Sequence, residues 1–316
     1  MKSIKSINEI FLLTVVTGLA GSVLYQFLGL DKCDYYVSLL YSQILLILPA
    51  VCYVIWNRLP LKELLRIRPI KIGTVFWLIL FAYLIMPLMQ EINLISMLFA
   101  KNTIGNKMYA IVENKPFLFS LLLIAGVPAL LEESVYRGVF FHTYSIQSPR
   151  KAILFSGLLF GLMHMNFNQF SYAFVMGAIF CLLIEATDSI LSSMIIHFII
   201  NGTSVVMLYV TPYLQRFMTK ITALDNQSVV TDVNSISKNR LLASIISYGV
   251  IAVFSTGLAV LVYIAIAKHQ GRLEHVKSIF QRNKTDSSVK EAKILSTPLL
   301  IGIVICMLYM ILNELA

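Results

Sequence analysis

Three groups of polar residues stand inside otherwise apolar stretches, and their types are those of acid–base chemistry. The first is Glu132-Glu133-Ser134-Val135-Tyr136-Arg137, which follows an uncharged run from Pro116 to Leu131. On a helix Glu133 and Arg137 share a face and pair, while Glu132 lies about 100° around the axis. The spacing predicts a division of labour. Arg137 fixes Glu133 as a carboxylate, and Glu132 remains the freer of the two, a proton acceptor. Charges in such a run also mark the ends of membrane helices. Here, however, the apolar pattern resumes at Gly138-Val139-Phe140-Phe141. One helix from Phe117 to about Ser145 therefore carries Glu132 near its middle. Pro128 kinks it, which membrane helices tolerate when neighbours satisfy the freed backbone groups.

The second group, Phe160-Gly161-Leu162-Met163-His164, puts Phe160 and His164 on one helical face. Gly157 and Gly161 form a small-x-x-x-small face for close helix approach. Standing alone, His164 reads equally as a packing histidine. The third group is His197-Phe198-Ile199-Ile200-Asn201, with His197 and Asn201 again four apart. Asn201 orients His197, or both donate to a developing oxyanion; a bare interhelical hydrogen bond, worth about 1 kcal/mol, is the structural alternative. Counted from Ala152 and Ser189, His164 lies about 18 Å and His197 about 12 Å along their spans. The three groups can therefore converge in one leaflet or near the midplane.

The elements that must position these groups are membrane helices. Of 316 residues, 58% are hydrophobic and 13% charged, against about 25% charged in soluble domains. Apolar blocks run over Ile10–Leu30, Tyr36–Trp56, Gly73–Phe99, from Phe117, over Ala152–Met165, Phe170–Ala186, Ser189–Val210, Leu241–Ala267 and Leu295–Leu312. Each crossing needs roughly 20 apolar residues. The fold class is thus all-α, a polytopic bundle of about eight or nine membrane helices. Residues 1–116 hold the N-terminal helices, 117–210 the chemistry-bearing core, and 211–240 a polar loop. Residues 241–316 hold the C-terminal helices and a basic loop over 268–293. Lys2 and Lys5 before an apolar run resemble a secretory leader, but the run is too long, so it reads as the first membrane helix.

The net charge of +9 is unevenly placed. Arg58, Lys62, Arg66, Arg68 and Lys71 crowd Asn57–Lys71, and seven further basic residues crowd Lys268–Lys293. Alternating from a cytoplasmic N-terminus puts both loops, and Arg150 with Lys151, on the cytoplasmic side, and Thr211–Arg240 outside. The positive charge then serves topology and anionic-lipid contact rather than nucleic acid. Glu185 and Asp188 read as a plain turn between spans. His142, His269 and His275 lack partners at useful spacing. Asn166 and Asn168 read as a helix end or loop beside a cavity mouth. Cys33, Cys52, Cys181 and Cys306 form no C-x-x-C pair and read as apolar filler.

Absent motifs narrow the chemistry. The chain lacks H-E-x-x-H, a P-loop and G-x-S-x-G. What remains is a carboxylate, two histidines and an asparagine, a set that activates water and stabilises an oxyanion. No cofactor is expected, although Glu and His are also acceptable zinc ligands. The rival classes are a non-enzymatic immunity or regulatory protein, and a small proton-coupled transporter using Glu132 and His164 as a relay. A transporter would more often show inverted repeats, and none is evident.

Glu132-Glu133-x-x-x-Arg137, Phe160-x-x-x-His164 and His197-x-x-x-Asn201, in this order, resemble the motifs of the CPBP family. That family comprises type II CAAX prenyl endopeptidases and bacteriocin-processing or self-immunity membrane proteins. The resemblance covers about residues 117–210. It implies an intramembrane endopeptidase in a bundle of about eight helices, with its site in a cavity open to the cytoplasm or to lipid. Glu132, helped by His164, would activate the water. His197 and Asn201 would form the oxyanion hole, and Glu133, Arg137 and Phe160 would support them, without a metal. The expected setting is a bacterial cell membrane. The expected substrates are membrane-anchored peptides such as pheromone or bacteriocin precursors.

The lysine and arginine asymmetry yields a test of orientation. In a cysteine-free background, single cysteines within Asn57–Lys71 should resist an impermeant thiol reagent applied to intact cells. Cysteines within Thr211–Arg240 should react. Strong labelling of the first loop would reverse the orientation.

Overall fold

The computed structural model describes residues 4–103, 108, 112, 115–222, 236–281 and 294–315. It is built of helices: α1 (Ile4–Phe27), α2 (Tyr35–Trp56), α3 (Leu61–Leu64), α4 (Ile72–Ser96), α5 (Phe117–Ser145) and α6 (Pro149–Leu162). They are followed by α7 (Phe167–Thr187), α8 (Ile190–Thr222), α9 (Lys238–His269), α10 (Leu273–Phe280) and α11 (Thr297–Leu315). Among the described residues there are no strands, and eight helices are long and apolar enough to cross a bilayer. Helices suit that setting because each satisfies its own backbone where no water is available. The outer surface is apolar, with residues such as Leu13, Val23, Ile79, Val253 and Phe254 exposed. Polar groups, among them Asn8, Glu133, Arg137, Ser156 and His197, are turned inward.

Three expectations need correction. The apolar block Ala152–Met165 does not cross as a full span. Its helix α6 has 14 residues, about 21 Å at 1.5 Å per residue, and stops at Leu162. Met165 takes a left-handed backbone conformation (φ 51°), and Asn166 then caps α7 by accepting from the Gln169 backbone N–H at 2.9 Å. Second, the polar segment Thr211–Arg240 is not all loop: α8 runs on to Thr222 and α9 begins at Lys238. Residues 223–235 lie outside the described residues, as do 282–293 of the basic loop. Third, that basic loop begins as structure, because α9 extends to His269 and Leu273–Phe280 is helical.

Helices α6 and α7 pack antiparallel at very short range. A Cβ placed on Gly157 would meet the Phe174 carbonyl oxygen at 2.8 Å and the Ala178 nitrogen at 2.9 Å. One placed on Gly177 would lie 2.9 Å from Gly157 Cα. Glycine at these points lets two backbones touch, the close approach on which helix association in lipid relies. The pair then presents Phe160, His164 and Phe180 to α5 and α8.

One end of the bundle gathers the basic segments. Asn8 accepts from Tyr144 Oη at 2.6 Å, and donates to the Ile294 carbonyl at 2.7 Å and Ser296 Oγ at 2.8 Å. This ties the starts of α1 and α11 to the end of α5. Gly138 of α5 leaves the space in which Leu65 sits. The next residue, Arg66, donates to Glu185 at 2.9 Å and to Ser145 at 3.1 Å. Glu185 also meets His275 Nε2 at 2.5 Å, and its backbone carbonyl accepts from Arg272 at 2.9 Å. Asp188, which closes α7 with φ 56°, pairs with Arg68 and lies 3.7 Å from Arg272. Glu185 and Asp188 are therefore an ionic hub joining both basic segments, not a plain turn. His275 and His269 have partners after all, the latter in Thr74 at 2.8 Å.

Candidate active site

Helix α5 carries the two glutamates near its middle, and it is not a uniform helix. Leu122–Gly126 and Ser134–Phe141 are wound as π-helix, on either side of Val127–Glu133. Such wider turns are rare and concentrate at functional sites. Pro128 lacks an N–H, so the Ile124 carbonyl, four residues earlier, loses its α-helical donor. Asn201 Nδ2 of α8 donates to that carbonyl at 3.2 Å.

The deepest part of the site is ionic. Glu133 and Arg137 are fully buried, with Arg137 Nε 3.1 Å from Glu133 Oε2. The approach is too poorly aligned for a hydrogen bond, and the guanidinium has no hydrogen-bond acceptor among the described residues. Aromatic faces hold it instead: its Cζ lies 4.3 Å from the Phe160 centroid and 5.0 Å from that of Phe180. Cation–π contacts of this kind strengthen when desolvated. Glu133 uses its other oxygen, Oε1, on His197 Nδ1 at 2.9 Å. The orienting partner of His197 is thus Glu133, and Asn201 is occupied with Ile124.

Both imidazoles are fixed through Nδ1. His164, in the turn after α6, places Nδ1 2.8 Å from the Phe160 carbonyl oxygen. A carbonyl only accepts, so Nδ1 carries the proton. The carboxylate on His197 Nδ1 argues the same for that ring. Each ring then has Nε2 available: an acceptor when the ring is neutral, a donor when it is an imidazolium. The two rings flank Phe160, with centroids 4.9 Å (His164) and 6.1 Å (His197) away. His197 Nε2 stands 3.9 Å from Glu132 Oε2.

Glu132 is the marginal member, with 14% of its side chain exposed against none for Glu133. Its Oε1 accepts from Gln43 Nε2 of α2 at 2.7 Å. Gln43 was not among the residues singled out by spacing. Its only signal is that it is the one amide side chain in Tyr35–Trp56. Asn166 and Asn168 lie apart from this constellation. Asn166 is the α7 cap, and Asn168 is buried against Ser96 at 2.5 Å.

Residues 114–203 match the family model of type II CAAX prenyl endopeptidase, Rce1-like. The matched segment spans α5 to α8 and contains Glu132, Glu133, Arg137, Phe160, His164, His197 and Asn201, but not Gln43. At family level it supports an intramembrane endopeptidase of CAAX type. No curated protein and no solved structure matches the chain. Among the described residues, no three His, Cys, Asp or Glu side chains are grouped to hold a metal ion.

The buried pair sets a stability expectation. Removing one partner strands the other charge, at a cost of about 3–5 kcal/mol. Arg137→Ala and Glu133→Gln should each lower the detergent melting temperature strongly, and the double variant should lose less than the two single losses combined. Fully additive losses would show that the pair is not coupled.

Proposed function

We propose that the chain is an intramembrane glutamate-dependent endopeptidase in which Glu132 deprotonates the attacking water. The observation that carries the reading is the placement of Glu132 Oε2 beside the open Nε2 of an imidazole whose other nitrogen is already fixed, 3.9 Å away. Glu132 is the one carboxylate of the pair at the margin of the ionic core, so it can meet a water. His164, with Nδ1 fixed and Nε2 open, assists by taking up or returning a proton at Nε2. An imidazolium at His197 keeps its Nδ1–H on Glu133 and turns its Nε2–H to the developing oxyanion. Asn201, whose amide has a second N–H besides the one given to Ile124, is the further donor. Arg137 and Phe160 hold this geometry without touching the substrate.

The substrate class follows from the surroundings. Gly126, Ala129 and Leu130 of α5, with Met194, Ile195 and Phe198 of α8, line an apolar cavity of about 270 Å³ on the outer surface. It lies one turn from Glu133 and His197 along each helix. This supports a membrane-anchored peptide entering from the lipid, with pheromone or bacteriocin precursors as candidates. The bilayer is then a working partner and nucleic acid is not. We place the protein in a bacterial cell membrane with its basic end cytoplasmic.

Glu132→Gln keeps size and polarity but removes the base. It should fold and bind peptide while turnover falls at least ~100-fold, the lower end for general-base catalysis. Melting temperature and turnover in the same detergent check this. Near-normal turnover of Glu132→Gln beside a folded, inactive Glu133→Gln would invert the two roles, and normal cleavage by Glu132→Gln, Glu133→Gln and Arg137→Ala alike would leave the motif with a packing role only.

The reaction as proposed uses no metal. Turnover of the purified protein should survive exhaustive chelation. Loss on chelation with recovery on added zinc would reassign His164, His197 and a glutamate as ligands.

A further inference from the structure

We infer that Gln43 is a positioning residue for Glu132, supplied by a helix outside the segment that the family model matches. The inference rests on the proposed role of Glu132 and deepens it. Gln43 lies mid-way along α2 and is buried. Its Nε2 donates to Glu132 Oε1 at 2.7 Å, a short bond of the kind made to a charged acceptor. Glu132 is otherwise poorly held, because its own helix gives it no cation four residues on. His197 Nε2 stands 3.9 Å from the opposite oxygen, too far for a hydrogen bond. The amide therefore fixes which oxygen is spent on the protein. Oε1 is tied to α2, and Oε2 is turned toward the imidazole side and free to take a proton.

A second observation argues that the amide is more than interhelical glue. Gln43 Oε1 is buried and has no hydrogen-bond donor among the described residues. Buried acceptors in folded proteins are as a rule paired. A water about to lose one proton to Glu132 has a second proton to place, and this carbonyl is an acceptor beside the base. No charged residue on α2 takes part, since Tyr35–Trp56 contains none. The amide orders the carboxylate without altering the net charge of the site.

The test uses the full chain in detergent with a cleaved peptide, and the variants Gln43→Met and Gln43→Leu. Both keep volume and remove the donor. Turnover should fall at least ~10-fold, the worth of one hydrogen bond to a charged group, with KM within about 2-fold of wild type. In infrared spectra, the carboxylate band assigned by its loss in Glu132→Gln should shift in both variants. Unchanged turnover would overturn the inference. So would a fall in turnover with the Glu132 band unmoved, which marks a general structural effect. If Glu132→Gln itself cleaves normally, Glu132 is not the base, and the infrared band alone then decides whether Gln43 holds Glu132.

Discussion

The site depends on one buried carboxylate. Glu133 sits where no water reaches, so its charge must be matched by protein groups, and it is matched twice: by Arg137 on its own helix and by His197 on α8. A bilayer makes this stricter than a soluble core would, because helices that separated would meet lipid rather than water. The aromatic cage of Phe160 and Phe180 around the guanidinium adds attraction without adding another charge. Four helices are therefore committed to one arrangement before any substrate arrives. Glu132, with 14% of its side chain exposed, stands at the edge of this core.

The remaining structure keeps that arrangement from drifting. Glycines at 157 and 177 bring α6 and α7 into backbone contact, which sets the height of Phe160. At the basic end, Asn8 and the hub of Glu185 and Asp188 draw the ends of α1, α5, α7, α9 and α11 together through contacts between residues far apart in sequence. Glu185 is buried while Asp188 and the arginines around it are partly exposed, so these pairs lie between the surface and the buried case. The hub's value lies in register.

What was legible in the sequence was what a helix encodes locally. The pairing of Glu133 with Arg137 and the contact of Phe160 with His164 follow from a spacing of four, and both are present in the structure. The eight long helices follow from apolar length. Partners from different helices were not legible, because spacing says nothing about them. Glu133 with His197, Gln43 with Glu132, and Glu185 with His275 are of this kind. Two boundaries misled for physical reasons. Ala152–Met165 is apolar enough to look like a crossing, yet Asn166-x-x-Gln169 is a helix start that could have revealed the break. Thr211–Thr222 is polar enough to look like a loop, yet a helix that has begun satisfies its own backbone whatever its side chains do.

Pro128 and Asn201 are, in effect, one letter of the sequence written in two places. The proline deletes a backbone donor inside α5, and the asparagine of α8 returns one from 3.2 Å away. A helix repaired from outside is bound to its repairer, so the course of α5 at Pro128 and that of α8 cannot vary independently. Truncating Asn201 therefore removes two things at once, an amide at the site and a splint on the helix that carries both glutamates. A second change at position 128 that restores the missing N–H would separate those losses, since it relieves the asparagine of the splint and leaves only the loss of the amide.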